Sequence, residues 1–588
     1  MKRNNRTITN RVNRREGLIA ANPDLIAHVF LFALAALIFL PVLTYSLPNG
    51  DDMAQHCWWA KEFVDEIREG TIYPRWLSGA YDGRGSPVMI YYPPLPFFVI
   101  AFFSIFTSNP LLALGLGCWI GLAISGSTMY LLSRSLLSRQ DALMAAGFYM
   151  ILHYHLFDFF HRSAQHEFWA FAWIPLLLYS LHRVSTEHNL RALPYIAFSY
   201  AMLLVTHVPS ALMLTFVIPV YVILLTRDTK RLIGAASGLI TGAGLASIFI
   251  IPFLFERDYL KSLGDKTDIQ RFDAGFLMEN LVEAFRQIPF PSNGNFHLFI
   301  LASNWIALGL LILLAIVTWV VWKSEYRQNS LVRGVWVITI FSLLMTTRIS
   351  SPLWQFIPKF KSIQFPVRWL LITSLGVSLL TALAVSLILR QSKLPVYKAT
   401  ALGAAIIFNL AISGLVLLKA PFQPEALQRR LAYYTDVREY HPKWWDQQRH
   451  TELDKAPAVV DQGNATVVAL GKSRMKQSYT ISASKESVLR FRTLYFPGWA
   501  AHINGQIADI SPGKDGHIEL KVSSGEHNLT LDFEDTPTRT AGKIVSALSV
   551  IIFAVMLYAT RRSGVNSEQI DPKAVDRNSK ERYRKSAT

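Results

Sequence analysis

Stretches of about 20 predominantly apolar residues, the length a helix needs to cross a bilayer, recur along this chain from Leu25 to Thr560. The first runs from about Leu25 to Leu47. Others cover 110–133, 141–157, 167–182, 192–207, 210–226, 232–255, 299–322, 332–346, 367–390, 397–419 and 542–560. No soluble core absorbs so many. Of 588 residues 51% are hydrophobic and 17% charged, with mean hydropathy +0.27, whereas soluble domains carry about 25% charged residues. The pattern predicts a mostly α, polytopic membrane protein with about twelve transmembrane helices.

The net charge of +17 suggests nucleic acid until its location is read. Lys2, Arg3, Arg6, Arg11, Arg14 and Arg15 crowd one end. Arg561, Arg562, Lys573, Arg577, Lys580, Arg582, Arg584 and Lys585 crowd the other. Both clusters flank apolar spans and read as cytoplasmic anchors, not as a nucleic-acid surface. The first span is too long for a signal-peptide core and lacks a small-residue cleavage site, so it reads as an uncleaved anchor. Pro94 to Thr107 is apolar but short. Taken as an in-plane or re-entrant helix, it puts the Arg134–Arg139 loop inside, together with Arg183/Arg191, Arg227/Lys230/Arg231, Lys323/Arg327/Arg333 and Arg390/Lys393/Lys398. Both termini then lie inside, and all the unusual chemistry lies outside. The external face receives loop 48–109, the segment His153 to Glu167, the turn at His207, loops 257–298 and 347–366, and the block 420–540. Cys57 and Cys118, the only two cysteines, are not expected to meet and imply neither disulfide nor metal framework.

The block 420–540 changes character. After a polar, aromatic run from Pro421 to His450, alternation predicts strands at Ala465–Leu470, Gln477–Ala483, Val488–Tyr495, His517–Val522 and His527–Phe533. Turn signals separate them at Pro497-Gly498, Asn504-Gly505, Pro512-Gly513 and Ser524-Gly525. The expected division is a basic N-terminus (1–24), a transmembrane domain (25–419), a small extracytoplasmic β-sandwich (420–540), a last helix (541–560) and a polar tail (561–588).

Three sets of residues carry candidate chemistry. Asp51 and Asp52 sit where the first span ends, just before an amphipathic stretch from Met53 to Glu69 that Gly70 stops. Aspartate is a preferred helix N-cap, but a cap needs one carboxylate and here there are two. The second set is His161-Arg162-Ser163-Ala164-Gln165-His166-Glu167, at the mouth of the span beginning at Phe168. Ionisable groups there are costly unless solvated or paired; the bland reading pairs Arg162 with Glu167 or Asp158. His166, Glu167 and His207 together suggest a divalent metal, though no fixed ligand spacing supports one, and no other cofactor is implied. The third set is Arg348, Lys359, Lys361 and Arg368, on an external loop where positive charge runs against the inside bias. Such cations suit an anionic headgroup or phosphate; pairing with Asp273 is the alternative. A polyprenyl-phosphate sugar has an anionic leaving group, so its transfer needs cations at the phosphate and a carboxylate base for the acceptor hydroxyl.

The order of features resembles the GT-C superfamily of multi-spanning glycosyltransferases. Within it the chain is most similar to the bacterial YfhO-like branch and its relatives named after 6-pyruvoyl-tetrahydropterin synthase. The stretches that carry the resemblance are GDDMAQH at 50–56, YPRW at 73–76, YYPPLPF at 91–97, HRSAQHE at 161–167, THVPSAL at 206–212, IPKFKSIQFPVRW at 357–369 and YFPGWAAHINGQ at 495–506. They span nearly the whole chain. The pterin in the name is not read as chemistry, since nothing here resembles a soluble pterin enzyme. The resemblance implies a GT-C-like transmembrane core in a bacterial inner membrane. It implies an external base at Asp51 or Asp52, a second acid at Glu167, and a phosphate contact in the loop from Arg348 to Arg368. His56, Arg75, Arg162, His166, His207, Arg348, Lys361 and Arg368 are the expected binding residues. The implied reaction moves a sugar from a polyprenyl-phosphate donor to a hydroxyl on a glycan, lipid or protein. The rivals are a transporter of lipid-linked glycans, which predicts Gly/Pro-broken spans, and a non-catalytic scaffold, which predicts that Asp51, Asp52, Glu167 and Arg368 scatter.

Overall fold

The computed structural model describes residues 22–187, 189–261, 275–278, 296–390, 395–434, 437–446, 456–472 and 475–568. The basic N-terminus, most of the C-terminal tail, Asp273 and most of loop 257–298 lie outside these residues.

Each expected span is helical. Among the described residues, seven helices are long and apolar enough to cross a membrane, Pro110–Arg134, Arg139–Phe160, Val208–Leu225, Phe299–Val321, Pro366–Arg390, Val396–Leu418 and Pro537–Thr560, or eight if the pair Thr229–Leu245 and Ser247–Phe255 counts as one broken span bent by 73°. Pro23–Ile38, Leu190–Leu204 and Ser330–Met345 are apolar but shorter. Gln165–Glu187 opens with Gln165-His166-Glu167 and carries Pro175 inside. Caps set the starts where the sequence offers an acceptor. Asn109 accepts from the Leu111 and Leu112 amides, Ser138 from Asp141, and Asp228 from Lys230, so each helix end keeps its first amides bonded. The stretch Pro94 to Thr107 holds only the nine-residue helix Leu95–Phe103, too short to span at 1.5 Å per residue.

The two ends of the bundle differ in chemistry. At one end Asp24 pairs with Arg139 at 2.8 Å, Arg390 pairs with Asp141, and Arg231 donates to the Ser185 carbonyl at 2.8 Å. These are the short basic loops. At the other end lie the turns after the first span, before Gln165, at His207 and at Arg368; backbone bonds join the first two, and Arg368 reaches Glu167 through its side chain. Cys57 and Cys118 are buried and free. They sit on two helices, Met53–Arg68 and Pro110–Arg134, that pack together, and no disulfide joins them.

The C-terminal block forms nine strands: β1 (Ala458–Gln462), β2 (Ala465–Lys472), β3 (Lys476–Ala483), β4 (Ser487–Leu494), β5 (Trp499–Ile503), β6 (Gln506–Ala508), β7 (Ile510–Pro512), β8 (His517–Val522) and β9 (Gly525–Phe533). They make antiparallel sheets in the orders β1-β4-β8-β7 and β2-β3-β9-β5-β6. Alternate residues of each sheet face the other: the rings of Tyr479 and Phe491 lie 5.0 Å apart, and Gln477 donates to Thr493 at 2.8 Å. The five expected strands are present; β1 and the short β5, β6 and β7 were not foreseen, because pairs of three to five residues carry too little alternation to read.

This domain is fastened to the helices. Trp76, fully buried, packs its ring against Phe496, Trp499 and Phe533. Gly85, at φ +90°, lets the chain pass over that indole; a Cβ there would fall 2.2 Å from Trp76 Nε1. Arg539, with no exposed area, donates to Glu256 at 2.9 and 3.1 Å, tying the last helix to the broken one.

Candidate active site

The loop Pro48-Asn49-Gly50 delivers the acidic pair to the second cluster through the backbone. The Asp51 amide donates to the His161 carbonyl and the Asp52 amide to the Arg162 carbonyl, both at 3.0 Å. Gly50 makes this possible, since a Cβ there would lie 2.2 Å from Ser163 Oγ and 2.4 Å from the His161 oxygen. Ser163 itself adopts φ 58°, a conformation side chains rarely take outside sites that hold it in place. Asp52 occupies the N-cap position of Met53–Arg68 yet makes no side-chain capping bond, so the cap reading fails for it.

Asp52 is exposed and Asp51 half-buried, yet the protein atoms around the Asp52 carboxyl push its pKa up to about 6. Asp51 adds to the rise, and Arg162, Arg368 and Arg430 oppose it. His56, one turn along the same helix, is buried, which pushes its pKa down to about 3 and keeps the ring neutral. Its ring stacks on that of His166 at 5.2 Å, and Tyr92 closes against His166 edge-on at 4.4 Å. His166 Nε2 lies 3.0 Å from the Pro93 carbonyl. A carbonyl accepts, so Nε2 carries the proton.

Behind these rings lies a buried charge network. Glu167 Oε2 accepts from Arg162 at 2.9 Å and from Arg368 at 3.2 Å, and Oε1 accepts from the Tyr154 hydroxyl at 2.6 Å. Arg162 also pairs with Asp158, the residue four positions before it. Arg368 donates Nη1 to the Ile363 carbonyl at 2.6 Å and to Gln364 at 3.3 Å. Its Nη2 makes no hydrogen bond among the described residues and is the edge open to a ligand. His207 donates or accepts at Ser210 Oγ, 2.7 Å away, and interacts electrostatically with Arg162, Arg368 and His166. The snorkelling pair expected for Arg162 is therefore a buried network of two carboxylates and two guanidiniums.

Asp51, Asp52, His56, Arg162, His166, Glu167, His207 and Arg368 thus share one neighbourhood. For three expected residues the contacts found among the described residues lie elsewhere. Arg75 pairs with Asp535 at 2.6 Å and donates to the Ile248 carbonyl at 3.2 Å, so it fastens the β-domain's end to the broken helix. Arg348 is exposed and lies over the Phe276 ring at 5.5 Å. Lys361 is half-buried on the turn Phe360–Ile363. Among the described residues no three His, Cys, Asp and Glu side chains are placed to hold a metal ion; Glu167 is taken up by Tyr154 and two arginines, and His166 by Pro93. Sequence reasoning missed Tyr92, Tyr154 and Arg430. Tyr92 stands inside the YYPPLPF stretch, while neither Tyr154 nor Arg430 belongs to any recognisable pattern.

Residues 89–419 match the family described as "6-pyruvoyl-tetrahydropterin synthase related domain; membrane protein". The chain belongs to that family. The matched 6-pyruvoyl-tetrahydropterin synthase related region contains Tyr154, Asp158, Arg162, His166, Glu167, His207 and Arg368, while Asp51, Asp52, His56 and Arg430 lie outside it. The family is one of membrane proteins, in keeping with the spans. No curated protein matches the chain by sequence. Two solved structures are similar to it: the Archaeoglobus fulgidus oligosaccharyltransferase in the apo form, at 12% identity and TM-score 0.42, and oligosaccharyltransferase AglB of the same organism in complex with an inhibitory peptide and a dolichol-phosphate, at 13% and 0.41. Each match covers 73% of this chain and 62% of the other, so the chain spans less than two thirds of their length.

Proposed function

We propose that this protein is a membrane glycosyltransferase that moves a sugar from a polyprenyl-phosphate donor to an acceptor hydroxyl at the external face. The observation that carries the reading is the backbone pairing of Asp51 and Asp52 with His161 and Arg162, which sets the acidic loop against the segment whose Arg162 shares Glu167 with Arg368. Asp52 takes the proton from the acceptor hydroxyl as its oxygen bonds to the sugar's anomeric carbon. The bond from that carbon to the phosphate oxygen breaks, and the charge gained by the phosphate falls to the free edge of Arg368. Asp52 suits the base because a base works best with a pKa near the operating pH. Glu167 is saturated by three donors and acts as a positioning residue that aims the arginines. His56, His166 and Tyr92 form a neutral aromatic wall against which a sugar ring can rest. The acceptor is a glycan, lipid or protein, with the β-domain as the part that meets it.

The test is transfer in vesicles with a panel of polyprenyl-phosphate hexoses and pentoses. Asp52→Asn is expected to lower the rate by about 100-fold or more, with Asp51→Asn falling less. Full activity of Asp52→Asn would overturn the base assignment. A transporter of lipid-linked glycans is the second reading, favoured by the 73° break between Leu245 and Ser247; it predicts that Asp52→Asn still moves the lipid-linked sugar across the bilayer.

A further inference from the structure

The block that follows the helix Val396–Leu418 begins with an extended turn and the helix Pro424–Ala432. This helix buries Leu427, and Tyr434 just beyond it packs on Trp58 at 5.7 Å. From its exposed side Arg430 reaches back to the acidic loop. Nη1 donates to the Asn49 side-chain oxygen at 2.7 Å and to the Gly50 carbonyl at 2.8 Å, and Nη2 donates to the Asp51 carbonyl at 2.6 Å. The Asn49 amide returns a bond to the Pro421 carbonyl at 2.7 Å. One guanidinium thereby ties three consecutive residues of the loop that carries Asp52, from a segment outside the family-matched region.

We propose that Arg430 is a positioning residue, a clamp that fixes the Asn49–Asp52 backbone so that Asp52 stays seated against the Arg162 carbonyl. A guanidinium suits the task because its planar fork satisfies several carbonyls at once, whereas an ammonium supplies a single point of contact. The other charged groups that face Asp52 are Asp51, Arg162 and Arg368. They come from the loop itself and from the two buried segments behind it. Loss of Arg430 therefore leaves the other two cations in place while freeing the loop. The consequence for transfer rests on the glycosyltransferase reading above; the clamp itself does not.

The experiment uses the full chain in nanodiscs, as wild type, Arg430→Gln and Arg430→Lys. Hydrogen–deuterium exchange of peptides covering residues 48–56 is read beside the pH profile of transfer with the polyprenyl-phosphate sugar panel. Arg430→Gln is expected to speed exchange in those peptides by about tenfold, leaving peptides of the helix Pro110–Arg134 unchanged. It should lower kcat by about tenfold with little change in KM, and move the acid limb of the profile to higher pH because one cation that favours the ionised carboxyl is gone. Arg430→Lys is expected to restore part of both. Unchanged exchange in Arg430→Gln overturns the clamp, as does an Arg430→Lys protein no better than Arg430→Gln in either readout. Faster exchange in Arg430→Gln with full transfer by Asp52→Asn upholds the clamp and removes the base reading instead.

Discussion

Glu167 is the residue whose removal the structure prices best. Its side chain has 1% exposure and accepts three hydrogen bonds, from Tyr154 at 2.6 Å, Arg162 at 2.9 Å and Arg368 at 3.2 Å. Both guanidiniums reach it, and Arg162 pairs with Asp158 as well. Glu167→Ala leaves Arg162 with Asp158 and takes from Arg368 the carboxylate it pairs with. Breaking a buried pair from one side costs about 3–5 kcal/mol, because the abandoned charge keeps its desolvation penalty. Glu167→Gln retains an acceptor for Tyr154 but not the charge. Hydrogen bonds to charged groups contribute about 1.5–3 kcal/mol, so its cost falls in that smaller range. Removing one cation as well relieves the imbalance, and the double variant Glu167→Ala/Arg368→Ala is expected to be less destabilised than the sum of the singles by at least about 1 kcal/mol. Reversible unfolding in mixed micelles, followed by tryptophan fluorescence, measures wild type, the singles Glu167→Ala, Glu167→Gln and Arg368→Ala, and the double variant. Additive costs, or a Glu167→Ala protein within about 0.5 kcal/mol of wild type, would refute the network.

Two further outcomes follow from the geometry of the acidic loop. A base with pKa about 6 is about nine-tenths ionised at pH 7 and about one-tenth at pH 5, so the transfer rate is expected to fall about tenfold on acidification between those values; a rate still flat at pH 4.5 would mean that an ordinary carboxyl does the work. In Gly50→Ala the new methyl meets Ser163 Oγ and the His161 carbonyl oxygen at 2.2 and 2.4 Å, and backbone has to move. Transfer should drop by about 100-fold with a stability cost of about 1–3 kcal/mol, read by the same vesicle assay and unfolding curve.

Much of the helical scaffold was legible because hydropathy is a local property. Each expected span became a helix, and the short Pro94–Thr107 stretch stayed too short to cross. Gly70 ends its helix at φ +98°, as its place in the sequence suggested. The site was legible in part. The i, i+4 spacing of Asp158 and Arg162 foretold one pair, and the crowding of HRSAQHE marked a boundary where charge needs partners. Arg75 misled because YPRW reads as a motif while its partner, Asp535, stands 460 positions away. The cationic loop was read as a unit; among its described residues Arg368 turns inward to Glu167, while Arg348 is exposed and Lys361 half-buried.

Taken by itself, the chain determined a membrane protein of many helices, with a strand-rich block before the last of them and its basic loops at one end. Those follow from side-chain solvation, which every residue carries with it wherever it sits. That Arg162 and Arg368 share Glu167, and that Arg430 grips the loop before Asp52, only the tertiary structure decided. The cations that act on Asp52 are brought to it from positions 162, 368 and 430, and a pKa answers to distance in space rather than distance along the chain.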